Sequence, residues 1–214
     1  MIQHVWQRVK NAKTLDHILI ACDDEKIFAK AKEFGADVVM TKSTHESGSD
    51  RIAEAVECLD YDIVVNIQGD EPLIESDVID DLVRALKADT ACVVATSIKV
   101  IKDDKDLNDP NVVKVTIDCH HHALYFSRSI IPYNRNKVKP AQTKYYRHLG
   151  LYAFRKNFLL QFRNWPKSIL EKTEHLEQLR ILEAGYKIKT VETHLDAIAV
   201  DTPEDLVRVE KILK

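Results

Sequence analysis

Short apolar runs recur along this chain with a helical pattern between them, and that alternation constrains the fold more than any other feature. Ile18, Leu19, Ile20 and Ala21 form one run; Val38, Val39 and Met40 form the next. Residues 63–66 and 91–96 repeat the form, and residues 188–191 do so again near the C-terminus. Residues 25–34, 51–59 and 76–87 carry apolar side chains at helical spacing, with Val78, Ile79, Leu82, Val83 and Leu86 marking the inward face of the last. Ile2, Val5, Trp6 and Val9 make one more helical face at the start. Strands that are apolar throughout are covered on both sides. The expectation is an α/β fold with a mostly parallel central sheet flanked by helices.

The pattern changes after Asp109-Pro110. Residues 112–118 and 123–126 are β-like and flank Cys119, His120, His121 and His122, which predicts a β-hairpin insertion. A polar, basic loop follows over 134–144, then a strand over 148–154 and a short helix over 157–162. Residues 174–183 read as a helix stopped by Gly185, and Asp201, Thr202, Pro203 and Glu204 as the start of another. One domain spanning 1–214 accommodates all of this.

Composition narrows the function classes. With 31 basic and 34 acidic residues the net charge is -3, which gives no basis for broad nucleic-acid binding. A few arginines can still hold an anionic substrate. No apolar run reaches the roughly 18 residues of a membrane span, and no signal peptide is visible, so no membrane insertion and a cytoplasmic location are expected. The four cysteines are widely spaced. Cys58 and Cys92 fall in apolar patterns and are expected to be buried thiols, with Cys22 more exposed.

Asn66, Ile67, Gln68, Gly69, Asp70, Glu71 and Pro72 follow an apolar strand, which places Gln68, Asp70 and Glu71 where open α/β sheets hold ligands. Asp201 lies at another strand-to-helix junction. Two carboxylates there suit Mg²⁺, which neutralises phosphate charge, although the local sequence of Asp201 reads first as a helix cap and the two roles can coexist. His45, Ser47, Gly48 and Arg51 belong to a polar turn entering a helix; its amides can receive an anion or a base edge, or Ser47 and Ser49 only cap it. No Walker phosphate loop is present. Arg128, Arg135, Arg147 and His148, near Tyr125, Tyr133 and Tyr152, suit a sugar carboxylate or form plain surface charge. The three consecutive histidines point alternately and are expected in an exposed turn rather than around zinc. Glu177 and Gln178 fall off the Leu176, Leu179, Leu182 stripe and are expected at its border or on the exposed face.

Six stretches in order carry a resemblance: 47–51 (SGSDR), 66–72 (NIQGDEP), 123–132 (ALYFSRSIIP), 147–152 (RHLGLY), 176–180 (LEQLR) and 200–206 (VDTPEDL). Together the chain resembles the 3-deoxy-manno-octulosonate (Kdo) cytidylyltransferase family. The resemblance implies a nucleotide-diphosphosugar-transferase type fold, usually dimeric. It implies attack of the Kdo anomeric hydroxyl on the α-phosphorus of CTP, with Mg²⁺, giving CMP-Kdo for lipopolysaccharide synthesis. Asp70 and Asp201 would then be the metal-binding carboxylates and Gln68 would lie beside them. His45, Ser47, Gly48 and Arg51 would line the cytidine side. Arg128, Arg135, His148, Tyr152, Glu177 and Gln178 would form the sugar side, with 112–152 adding dimer contacts. Another acidic sugar, or a non-catalytic remnant that binds a sugar or a partner, is the alternative.

Two departures stand out. The family begins with a strand and a basic loop, PAR-x-x-STR-x-PGKPL, whereas residues 1–5 match the helix after that loop. The first central strand is expected to be missing. The chain is then a fragment or starts at a wrong methionine, or neighbouring strands close the gap; the first account is the expectation. Alone, the chain is expected to turn over CTP and Kdo poorly or not at all. Ala199 also stands where the family commonly has glycine.

Overall fold

The computed structural model describes residues 1–136, 143–195, 200 and 202–213. Its first half runs α1 (Ile2–Val9), β1 (Leu19–Cys22), α2 (Glu25–Glu33), β2 (Asp37–Met40), α3 (Gly48–Val56), β3 (Ile63–Asn66), α4 (Ser76–Ala88) and β4 (Cys92–Val100). The second half runs α5 (Asp104–Asn108), β5 (Lys114–Ile117), β6 (Ala123–Ser127), β7 (Tyr146–Arg155), α6 (Lys156–Phe162), α7 (Ile169–Glu174), α8 (Gln178–Glu183), β8 (Lys187–Glu192) and α9 (Pro203–Leu213). Local chemistry sets several boundaries. Asp24 caps α2 by accepting the amides of Lys26 and Ile27, and Ser47 caps α3 by accepting that of Asp50. Gly35 follows α2 with φ of 79°, a conformation that favours glycine.

The main sheet is mixed, and the expectation of a mostly parallel sheet is wrong. Its order is β6-β5-β7-β4-β8, with β3 also paired to β7. Among the described residues of this sheet only β4 and β8 pair in parallel; β3–β7, β4–β7, β5–β6 and β5–β7 are antiparallel. The cause is β7. It inserts between β3 and β4 and runs against both, so these two strands share a direction without touching. An apolar run records burial on two faces and says nothing about the direction of the neighbouring strand.

One edge of β7 is divided. β5 takes Tyr146 and Arg147, and β3 takes 152–155. On the other edge the register with β4 jumps from Tyr152 opposite Thr96 to Leu149 opposite Ser97. Thr96 mends this irregularity: its hydroxyl lies 2.8 Å from the Leu151 carbonyl oxygen and 3.3 Å from that of Leu149.

Two cores cover the sheet. Ala53, Val64, Phe154, Phe158, Phe162, Leu179 and Ile188 pack on one side. Val5, Val9, Ile79, Leu82, Leu86, Cys92 and Leu151 pack on the other. Among the described residues β1 pairs only with β2, as a separate parallel pair. Between β1 and β3 lies a slot of about 670 Å³. The two strands flanking it have not closed on each other.

Three local expectations need correction. Cys22 and Cys92 are buried, whereas Cys58 is exposed because it falls in the turn beyond α3. The helix expected over 174–183 is two helices, broken at His175, which takes φ of 53°. That break rotates the following turn inward, so Gln178 is 4% exposed rather than on the outer face.

Candidate active site

The candidate site lies at the fork where β3 and β5 part along β7. His148 and Tyr152 stand within it, their rings 5.3 Å apart. His148 Nε2 lies 2.8 Å from the Thr96 hydroxyl, and its ring meets Phe126 edge-on at 5.0 Å. Burial pushes the His148 pKa down to about 3, so the ring is neutral at ordinary pH. Burial also raises Tyr152 well above the usual phenol range, helped by the Glu177 charge.

A second wall comes from the start of α3 and the break before α8. Ser47 and Ser49 each donate a hydroxyl hydrogen bond to the Glu177 carboxylate, at 3.1 and 2.9 Å. Arg180 Nη2 donates to the same carboxylate at 3.2 Å and Nη1 to the Trp165 carbonyl at 2.7 Å, with Nε 3.1 Å from Glu171. Burial raises the Glu177 pKa, opposed by the two serine hydroxyls and Arg180. Gln178 is buried beside it, and its Nε2 has no hydrogen-bond partner among the described residues.

The third wall is the end of β3. A β-carbon on Gly48 would come within 3.2 Å of Gln68 Nε2 and 3.5 Å of Asn66 Nδ2, so glycine permits this close approach. Gln68 Nε2 donates to Asn66 Oδ1 at 3.3 Å. Asp70 follows, half-buried, and its carbonyl accepts the Val200 amide at 2.9 Å. Asp201 lies outside the described residues. The cap of α9 is Thr202, whose hydroxyl accepts the Asp205 amide at 3.2 Å and donates to its carboxylate.

The remaining expected residues are held differently. His45 pairs with Glu54. Arg51 reaches Thr41 and Asp23, both at 2.7 Å, tying α3 to the ends of β1 and β2. Arg128 donates to the carbonyls of Glu174, Pro110 and His175 and so braces the corner before α8. Arg135 is exposed. Arg147 pairs with Asp106. Thr96 and Arg180 were not anticipated as site residues. Thr96 sits in an ordinary strand pattern, while Arg180 belonged to the quoted 176–180 stretch.

Asp89, Cys92 and His122 bring three metal-capable atoms within 4.8 Å of one another. The hydrogen bond from His122, outweighing burial, holds Asp89 down at about 2, with help from the Ala91 amide and Lys189. Burial pushes the Cys92 thiol up to about 11. Sulfur and imidazole donors do not suit Mg²⁺, and Lys189 already places an ammonium 3.4 Å from Asp89. Of the three adjacent histidines, only His122 joins this cluster.

On this mixed sheet the chain falls in the class of cytidylyltransferases: a family model described as Cytidylyltransferase matches residues 1–188. The 3-deoxy-manno-octulosonate cytidylyltransferase of Solibacter usitatus is 46% identical over 214 residues, covering 100% of this chain and 84% of the relative. The mitochondrial enzyme of that name from Arabidopsis thaliana is 45% identical over 217 residues, covering 100% of this chain and 74% of the relative. A solved CMP:2-keto-3-deoxy-manno-octonic acid synthetase, complexed with CTP, superposes with a TM-score of 0.93 at 37% identity, over 99% of this chain and 86% of that one. The chain belongs to the 3-deoxy-manno-octulosonate cytidylyltransferase family. A 4-diphosphocytidyl-2C-methyl-D-erythritol synthase from Anaerococcus prevotii, at 17% identity and a TM-score of 0.63, shares the fold. Among the described residues, no helix is long and apolar enough to cross a membrane.

Proposed function

We propose that this fold carries the transfer of cytidylate from CTP to the anomeric hydroxyl of Kdo, releasing pyrophosphate and giving CMP-Kdo for lipopolysaccharide synthesis. The observation that supports it best is the hydrogen bond from the Val200 amide to the Asp70 carbonyl. It joins two stretches far apart in sequence, each of which carries an aspartate in the family pattern. Asp70 and Asp201 offer the hard oxygen donors that suit Mg²⁺, which when bound would neutralise phosphate charge.

The chain's own side chains divide the remaining work. Gln68 lies beside Asp70, held close by Gly48, and orients nucleotide or sugar near the metal. His45, Ser47, Gly48 and Arg51 form the cytidine side. Glu177 binds both serine hydroxyls and so ties that side to the sugar side. Gln178 offers its unpartnered amide to a sugar hydroxyl or carboxylate. His148 and Tyr152, both neutral, line the sugar pocket without adding charge. Arg128 shapes the corner that presents Glu177, which leaves Arg135 as the exposed cation for the Kdo carboxylate. Such a site works by alignment and charge neutralisation rather than a covalent nucleophile. Residues 112–152 would contribute to a homodimer, in the cytoplasm.

Pyrophosphate release from CTP, Mg²⁺ and Kdo tests the reading, on this chain and on a fusion carrying the family's strand and basic loop ahead of α1. The expected result is release by the fusion and little by the chain alone, with Kdo preferred over a sialic acid. No release by either would overturn the proposal. Equal release by both would overturn only the need for the added basic loop.

A further inference from the structure

The turn between α4 and β4 meets the β5–β6 hairpin at three unlike donors. Asp89, Cys92 and His122 each offer one metal-ligating atom, and those atoms lie within 4.8 Å of one another. The catalytic reading uses none of them. Cys92 opens β4, and Thr96 with its His148 contact stands further up the same strand, about 13 Å away at the usual rise per residue. The turn is held from behind. Arg155 pins it by donating to the carbonyls of Leu86, Asp89 and Cys92. The Ala91 amide binds Asp89 Oδ1 at 3.2 Å, while Oδ2 faces His122 Nε2 at 2.9 Å. Cys92 is fully buried.

His122 has the support that metal-bound histidines have. Its Nδ1 lies 3.2 Å from Asp118 Oδ2, and a carboxylate on that nitrogen leaves Nε2 as the ligating atom. Asp118 is fixed in turn by the amides of His120 and His122, each 2.8 Å from Oδ1. The cluster already draws a cation: Lys189 Nζ stands 3.4 Å from Asp89 Oδ2 and donates to the His120 carbonyl at 2.7 Å. That side chain is partly exposed and long enough to swing into solvent when a divalent ion enters. Donor type selects the ion. One sulfur, one imidazole nitrogen and one carboxylate oxygen suit Zn²⁺, with the fourth tetrahedral position left to water. Mg²⁺ and Ca²⁺ take oxygen donors throughout. As the sulfur–zinc bond forms, the Cys92 thiol proton leaves to bulk water.

We propose that Asp89, Cys92 and His122 form a Zn²⁺ site that clips the β5–β6 hairpin to the start of β4. The ion stabilises this corner of the sheet and takes no part in the chemistry at the fork. The site goes beyond the cytidylyl-transfer reading and stands or falls separately from it.

The test uses the 214-residue chain, reduced, with Cys58→Ser and Cys119→Ser to remove the exposed thiols. Zn²⁺ is titrated in competition with a chromophoric chelator, and Co²⁺ replaces it for absorption spectra. The expected result is one ion per chain, a thiolate-to-cobalt charge-transfer band, and a melting temperature higher by at least about 3 °C at saturating Zn²⁺. Excess Mg²⁺ should not displace the ion. Cys92→Ser should abolish the band, and His122→Gln should weaken Zn²⁺ binding at least about tenfold. Lys189→Gln leaves all three donors in place and removes the competing ammonium, so it should tighten binding at least about threefold. His120→Gln combined with His121→Asn should change nothing. No saturable uptake, or a band that survives Cys92→Ser, would overturn the proposal. So would loss of binding in the His120 and His121 double variant, which would place the ion on the exposed turn. Unchanged or weaker binding by Lys189→Gln would overturn it as well, since that ammonium borders the site.

Discussion

Asp80 gives a prediction whose size follows from the structure. Its carboxylate, 1% exposed on α4, holds the loop after α1. Oδ1 accepts the Thr14 amide at 2.9 Å, the Thr14 hydroxyl at 2.7 Å and the Lys13 amide at 2.9 Å; Oδ2 shares the last at 3.1 Å. Arg84 Nη2 stands 3.5 Å from Oδ2. Asp80→Asn keeps the shape and one good acceptor, but turns a donor toward Lys13 and Arg84 and removes the charge from every remaining bond. Hydrogen bonds to a charged group contribute about 1.5–3 kcal/mol against about 1 for neutral pairs. Part of that difference returns because a neutral amide is cheaper to bury, which leaves an expected loss of about 2 kcal/mol at pH 7. Burial pushes the Asp80 pKa up, but the Thr14 hydroxyl and the Lys13 and Thr14 amides outweigh it, and the folded value lies below the ordinary one. The stabilisation is therefore complete above the unfolded value of about 3.9 and fades as pH falls through the folded value. Urea denaturation of both proteins across pH should give a constant difference above about pH 5 that shrinks in acid. A difference under about 0.5 kcal/mol at pH 7, or one unchanged in acid, would refute the reasoning.

Other consequences follow from the site. Because burial holds His148 neutral with a pKa of about 3, unfolding takes up a proton below about pH 6.5; the stability of the parent relative to His148→Gln should fall by about 2 kcal/mol between pH 7 and pH 5 in paired denaturation curves. Glu177→Ala strands two serine hydroxyls and one arginine contact and should cost about 2–3 kcal/mol in urea, whereas a purely exposed glutamate would cost almost nothing. Gly48→Ala forces Gln68 to yield by a few tenths of an ångström; melting should shift by less than about 3 °C, while kcat/KM of the fused enzyme drops about tenfold. A thiol reagent should modify Cys58 and Cys119 in the native protein and reach Cys22 and Cys92 only after unfolding.

Local elements were readable wherever burial is periodic. β3 falls on 63–66 as expected and α4 on 76–88, because their apolar faces are set by their own residues. Pairing was not readable, since β7 meets β3 and β4 from far downstream and nothing local to those strands encodes its direction. The three walls of the candidate site draw on the quoted stretches, whereas the burial of Gln178 was missed because the His175 break lies within an otherwise helical pattern. Thr202 and Asp201 are both capping types; Thr202 makes the local hydrogen bond to the Asp205 amide, and Asp201 lies outside the described residues. Thr96 carried no signal because its role exists only where β4 crosses the irregularity in β7.

The shared edge of β7 also governs the order in which this protein can assemble. β3 and β4 emerge early in synthesis, and each depends on β7 for an antiparallel partner. Before residues 146–155 leave the ribosome, the early helices can form, but the sheet they cover has no centre. Closing it requires a long-range search over the intervening chain, the kind of contact that slows folding and prolongs exposure of open strand edges. A single late strand thus decides both when the fork between β3 and β5 exists and how long the nascent chain is vulnerable to aggregation.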